Sequence, residues 1–205
     1  MMKNMNFLKV ININGSLTIF LLSISSITTV YAAPTPYSLA KNNFETQCVR
    51  GLATPVLVQN KVFNHSFKIK NSTGDFPILY GEEKASLPNH QNIQLENSGC
   101  EFYTFQIKLT LNADMLEKNQ KLCQSCLAQQ LKSLALYFKK DDQDFYFDGI
   151  KALEQQLKKK QTFKIHQPYV LAGSEDMPQT IEFSQIKKQA NGQYTVDFYI
   201  STGPL

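Results

Sequence analysis

The chain has 205 residues, 42% hydrophobic and 19% charged, with 21 basic against 17 acidic side chains. That length suits one well-buried domain, and the composition excludes a disordered polar chain or a fibrous repeat. So small a basic excess argues against a nucleic-acid partner, since such proteins concentrate cations on one face.

The first residues, MMKNMNFLKV, carry Lys3 and Lys9 and no acid, and LTIFLLSISSI (Leu17 to Ile27) follows as a short apolar segment. Val30 and Ala32 then occupy the positions a signal peptidase prefers. Residues 1–32 therefore read as a signal peptide, cleaved after Ala32 to release the chain to the periplasm or the extracellular space. The segment is shorter than the roughly 20 apolar residues of a membrane span, and Ser23, Ser25, Ser26, Thr28 and Thr29 interrupt it. No later stretch is apolar enough to span a bilayer, so the mature protein is expected to be soluble, with 19 basic and 17 acidic groups.

Residues 33–205 read as a single α+β domain. Its start, APTPYSLAKNN, is rich in proline and polar residues and suggests an extended lead-in over 33–47. Pro55 to Val58 suggests a short strand, and Phe63, His65, Phe67 and Ile69 alternate with polar residues, a period of two that buries one face. NSTGD (Asn71 to Asp75) reads as a turn. Gly81 to Gly99 reads mostly as loop, with a strand at Ile93 and Leu95. Tyr103, Phe105, Ile107, Leu109 and Leu111 form the clearest alternation.

The period then changes. Met115, Leu116, Leu122, Cys123, Cys126, Leu127, Leu131, Leu134 and Phe138 are spaced for a helix from a cap at Asn112 to about Lys139. A second helix, capped by Asp148 with a stripe of Ile150, Leu153 and Leu157, would end in Lys158-Lys159-Lys160, cations that suit a helix C-terminus. Strands return at Phe163 and Ile165, at Ile181 and Phe183, and from Tyr194 to Ile200, and Asn191-Gly192 predicts a type I′ hairpin. The expected fold is an antiparallel sheet with two helices packed on one face.

Cys48, Cys100, Cys123 and Cys126 are an even set in an exported chain, which predicts two disulfides and leaves their pairing open. Residues three apart in a helix hold their Cβ atoms about 5 to 6 Å apart, whereas a disulfide needs about 3.5 to 4.5 Å. A Cys123–Cys126 bond would thus require a helix to begin or distort there. The alternative joins Cys48 and Cys100 each to one helix cysteine. Closing the long loop by Cys48 and Cys100 would restrict the unfolded chain by roughly 4 kcal/mol.

C-x-x-C at a helix start also suggests a redox pair, with Cys123 as nucleophile and Cys126 as resolving thiol. The order of strand (Glu101 to Leu111), Cys123-Gln124-Ser125-Cys126 on a helix, and Met177-Pro178 before a hairpin resembles the thioredoxin fold. That resemblance implies that Pro178 faces the cysteines. The sequence departs from it in a long spacer before Cys123, no aromatic residue preceding Cys123 and no closing helix after Ile200.

Other chemistry is thin. His65, His90 and His166 form no H-E-x-x-H, and no metal site or cofactor is expected. Asp141 to Gly149 (DDQDFYFDG) lacks the ligand order of a calcium loop and reads as a solvated turn. No nucleophile elbow or phosphate loop occurs, and Glu82, Glu83 and Asp197 have no evident carboxylate partner for glycoside cleavage. Aromatic residues beside charge remain as a candidate recognition surface: Phe145, Tyr146 and Phe147 among acids, and Tyr199 on the polar face of the last strand. The sequence therefore points away from an enzyme and toward an exported binding protein, similar in kind to inhibitors and immunity proteins that block another protein. A redox enzyme or a structural subunit of an envelope or secreted assembly are the alternatives.

Overall fold

A computed structural model describes residues 35–88, 91–100, 102–159, 162–171 and 177–203. The signal-peptide reading of residues 1–32, together with His90 and Lys160, falls outside them.

The first element is a helix, α1 (Pro36–Gln47), and this corrects the extended lead-in. Its start has a local cause: Thr35 Oγ1 accepts the Ser38 amide at 3.1 Å, and Pro36 stands in the first turn, where a missing N–H costs nothing. Four strands follow as a meander, β1 (Phe63–Asn71), β2 (Leu79–Ser86), β3 (Asn92–Ser98) and β4 (Thr104–Asn112). Most of the segment read as loop is thus strand. β2 escaped notice because its sequence, LYGEEKAS, puts Gly81 and Glu83 where an apolar alternation would be sought.

The helix expected from Asn112 to Lys139 is broken. One turn, α2 (Ala113–Leu116), leads into a short hairpin of β5 (Glu117–Lys118) and β6 (Lys121–Leu122). Asn119 and Gln120, both left-handed at φ 52° and 62°, reverse the chain between them, as a type I′ turn demands. Glu117 anchors this hairpin by accepting from Lys188 Nζ at 2.7 Å and Tyr194 Oη at 2.8 Å. Then come α3 (Gln124–Leu134), a 3-10 turn, and α4 (Lys140–Lys158). α4 begins eight residues before the expected cap at Asp148, so DDQDFYFDG is helix and not a turn. Asp141 and Asp142 complement the positive end of the helix, which is why an acidic run starts it.

The last strands are β7 (Tyr169–Val170), β8 (Gln179–Lys188) and β9 (Gln193–Thr202). The hairpin at Asn191-Gly192 exists, but only Gly192 has positive φ, 77°, and its amide donates to Gln189 O at 3.1 Å. This is a type I turn closed by a left-handed glycine, not type I′.

Among the described residues the main sheet has seven strands in the order β1-β2-β3-β4-β9-β8-β7, with every paired neighbour antiparallel. The α+β class with an antiparallel sheet and two disulfides is as expected; the described helices number four, not two. Phe105, Ile107, Leu109 and Leu111 of β4 and Val196, Phe198 and Ile200 of β9 point to one side and form the core with Leu127, Leu131, Leu134, Tyr146, Ile150 and Leu153. A smaller cluster of Ala40, Phe44 and Leu79 seats α1. Cys48–Cys100 ties the end of α1 to the segment after β3 across 52 residues.

α4 packs against β9 at Gly149, where a methyl group would lie 2.7 Å from Ile200 Cγ2. Gly149→Ala is therefore expected to destabilise the fold by about 1–3 kcal/mol of overpacking, despite a helix-propensity gain of up to ~1 kcal/mol. Combined with Ile200→Ala, the added methyl occupies the space released. In urea melts, the double variant should retain at least about 0.5 kcal/mol more stability than the two single losses predict; strict additivity would disprove the close approach.

Candidate functional site

Three groups of side chains carry the chemistry of the molecule. The first is the sulfur pair. Cys123 is the N-cap of α3, its amide donates to Leu116 O at 2.7 Å, and its Sγ is bonded to Cys126 with a Cα–Cα distance of 5.1 Å. The pairing is local, and the helix begins at the first cysteine, which meets the geometric condition for such a bond. Cys123 is buried and Cys126 is partly exposed. The Cys126 amide donates to Cys123 Sγ at 3.1 Å, and Ser125 Oγ lies 3.3 Å from the same sulfur. Pro178 is not in this neighbourhood by strand register. It stands just before β8, where Gln179 pairs with Thr202 and Thr104 with Ser201, while Cys123 follows the opposite end of β4. With an all-antiparallel main sheet as well, the resemblance to the thioredoxin fold does not hold.

The second group lies on the inner side of the sheet. Glu83 is 1% exposed and accepts from the Val56 amide at 2.8 Å and the Leu57 amide at 3.1 Å. His65 Nε2 lies 2.6 Å from its Oε1, so this histidine is a partner of a buried carboxylate. Beside it, Tyr103 Oη donates to Asp142 Oδ1 at 2.8 Å, and the Arg50 guanidinium lies 3.7 Å from the Tyr103 ring centre. Burial holds the Asp142 carboxyl above its ordinary range and Asp141 and Glu83 push the same way, while the Tyr103 hydroxyl and Lys139 pull it down. Both Glu83 oxygens are engaged, so this cluster fastens the 50–58 segment and α4 to the sheet.

The expected aromatic surface belongs to this interior. Tyr146 is fully buried and donates to Leu131 O at 2.6 Å, and Phe145 packs 4.6 Å from the Tyr103 ring and 5.0 Å from Phe105. Tyr146 and Phe145 are thus corrected from a recognition surface to core and core margin, because α4 turns them toward the sheet, while Phe147 stays partly buried and lines a surface groove with Lys132, Asp144 and Lys151.

Tyr199 does lie on the outer side. Cross-strand register builds a row there: Lys68, Glu82, Glu96, Gln106, Tyr199 and Glu182. A neighbouring row runs Ser66, Lys84, Gln94, Lys108 and Asp197. Glu82 is matched by Lys70 at 2.8 Å and Lys84 at 3.2 Å, and the Lys70 contact chiefly holds its carboxyl below its ordinary value. Glu96 has no ion pair among the described residues. Burial and then the carboxylate of Glu82 push its carboxyl up, with Asp197 adding to them, while Lys70 and Lys84 pull it down. A shallow cavity of about 160 Å³ opens between Gln94, Glu96, Gln106, Lys108 and Asp197. The sequence placed a strand at Ile93 and Leu95 but gave no sign of Glu96, whose neighbours Glu82, Gln106 and Asp197 come from other strands.

No helix among the described residues is long and apolar enough to cross a membrane, and no three described His, Cys, Asp or Glu side chains gather as metal ligands. No protein-family model, curated protein or solved structure matches the chain. What fold and site define together is an α+β domain with one helix-covered sheet face, a second, polar face that carries Glu82, Glu96 and Tyr199 in cross-strand register, and two disulfides.

Glu83→Ala leaves two buried amides without an acceptor, at roughly 1–3 kcal/mol each. Chemical denaturation should show a loss of about 3 kcal/mol or more, and a smaller loss for Glu83→Gln, which keeps one acceptor oxygen. An unchanged midpoint in Glu83→Ala would contradict the anchoring role.

Asp142 binds its proton more tightly in the folded state than in the unfolded chain, so its ionisation lowers stability. Stability from this group is gained as pH falls from above its folded value toward the ordinary carboxylate range. Tyr103→Phe removes a donor that favours the ionised form, and the carboxyl carbon-13 titration of Asp142 should shift to higher pH. A midpoint that stays or falls would refute the assignment.

Proposed function

We propose that the chain is an exported binding protein that holds a basic segment of another protein against the polar face of its sheet. The observation that carries this reading is Glu96. It is a partly buried carboxylate in the middle of that face, without an ion pair among the described residues; Glu82 and Asp197 raise its proton affinity, against a weaker pull from Lys70 and Lys84, and Lys108 lines the same cavity. A lysine or arginine brought there relieves carboxylate repulsion and offsets the desolvation. Gln94 and Gln106 supply amides around the cavity, and the Tyr199 ring, between Gln106 and Glu182 in register, offers an aromatic surface beside the charge. Residues 1–32 support export by their pattern of Lys3, Lys9 and a short apolar segment.

A photo-crosslinking amino acid at Gln106 should capture one partner from the native cell envelope, and the crosslinked partner peptide should contain lysine or arginine. Capture should fall roughly tenfold or more with Glu96→Lys and with Tyr199→Ala, the scale of a binding hot spot. It should also weaken as salt rises. Capture that ignores Glu96→Lys, or a crosslinked segment without basic residues, would overturn the reading.

A further inference from the structure

We infer that the Cys123–Cys126 disulfide is a thiol-exchange site that oxidises dithiols through Cys126, with Cys123 as the leaving sulfur. This inference does not depend on the polar sheet face. The two disulfides are built differently. Cys48–Cys100 closes 52 residues and starts from the C-cap of α1, the helix end that disfavours a thiolate. Cys123–Cys126 closes three and starts from the N-cap of an eleven-residue helix, the end that favours one.

Access and leaving-group stability select opposite sulfurs. Cys126 is the partly exposed member and Cys123 the buried one, so an incoming thiolate meets Cys126 first. A groove of about 610 Å³ between α3 and α4, lined by Ser125, Ala128, Gln129, Lys132, Glu154 and Leu157, begins one residue from Cys126 and gives a substrate chain room to lie. The electron pair released by attack at Cys126 goes to Cys123 Sγ, already within hydrogen-bond distance of the Cys126 amide and the Ser125 hydroxyl at 3.1 and 3.3 Å. Cys123, not an incoming nucleophile, is thereby the better departing thiolate. This inverts the roles expected from the sequence.

The reaction balances in two exchanges. One thiolate of the substrate attacks Cys126 Sγ; the substrate–Cys126 bond forms, the Cys126–Cys123 bond breaks, and Cys123 leaves as thiolate. The second thiolate of the substrate then attacks the substrate sulfur of the mixed disulfide. The substrate disulfide forms and Cys126 departs as thiolate. Two electrons pass from the substrate dithiol to the cysteine pair, the substrate's two protons go to solvent or to the cysteines, and an external disulfide restores the pair by the reverse exchanges.

The full-length exported protein, equilibrated in glutathione buffers, acid-quenched, alkylated and mapped by mass, gives the first test. Cys123–Cys126 should be half reduced at a ratio of squared reduced to oxidised glutathione at least 100-fold lower than the ratio that opens Cys48–Cys100. Cys123→Ser keeps a good N-cap, so it should fold and form a glutathione mixed disulfide at Cys126. Cys126→Ser should form its adduct at Cys123 at least tenfold more slowly. A reduced two-cysteine peptide should be oxidised at least tenfold faster with the protein than with oxidised glutathione alone, and not by folded Cys126→Ser. Equal reducibility of the two disulfides, adducts faster at Cys123 than at Cys126, or no acceleration would each overturn the inference.

Discussion

The arrangement of the molecule depends on one buried carboxylate. Glu83 projects from the middle of β2 into the covered side of the sheet and accepts the Val56 and Leu57 amides. Those residues belong to a segment outside the named strands, where Leu57 bridges Phe138, Val58 N donates to Tyr137 O and Lys139 N to Val56 O. Val56 and Leu57 are fully buried in the core, so without an acceptor beneath them their amides would be unpaired there. With it, the segment holds the residues that lead directly into α4. The first turn of α4 returns to the sheet through Asp142 and Tyr103, and Arg50 covers that tyrosine. The chain of contacts from β2 to loop to α4 to β4 is closed.

This closure separates the two faces of the sheet. The aromatic and aliphatic residues of α3 and α4 go to the inside, which leaves the outside to glutamate, glutamine, lysine and tyrosine in cross-strand register. Lysines crowd Glu82 near the β1 edge, while Glu96, Asp197 and Glu182 lie farther in. The sulfur pair belongs to neither face; it caps a helix after the far end of β4. A binding role for the sheet and an exchange role for the disulfide therefore compete for no residue.

Elements were legible where one physical signal acted alone. β4 and β9 alternate cleanly because each has one buried and one wet side. β2 did not, since a buried glutamate and a packed glycine take inward positions that hydropathy assigns to the surface. α1 was hidden by Pro36, a breaker within a helix that is acceptable in its first turn. The helical spacing of Leu116, Leu122 and Cys123 was fortuitous, and Asn119 with Gln120 turned the chain instead. Tyr199 could be placed outside by counting from its neighbours. Phe145 to Phe147 could not be placed that way, because acids beside aromatics suit a helix start and a surface loop equally.

The amino-acid order by itself determined an α+β composition of strands, an even set of cysteines, and the geometric condition that a helix must start where two cysteines three apart are bonded. Those follow from period, count and covalent reach, which are local. Which cysteines join, which side of α4 meets the sheet, and which acid is buried were decided only in three dimensions. Each of these depends on which surfaces residues distant in the chain bring together, and no local period encodes that.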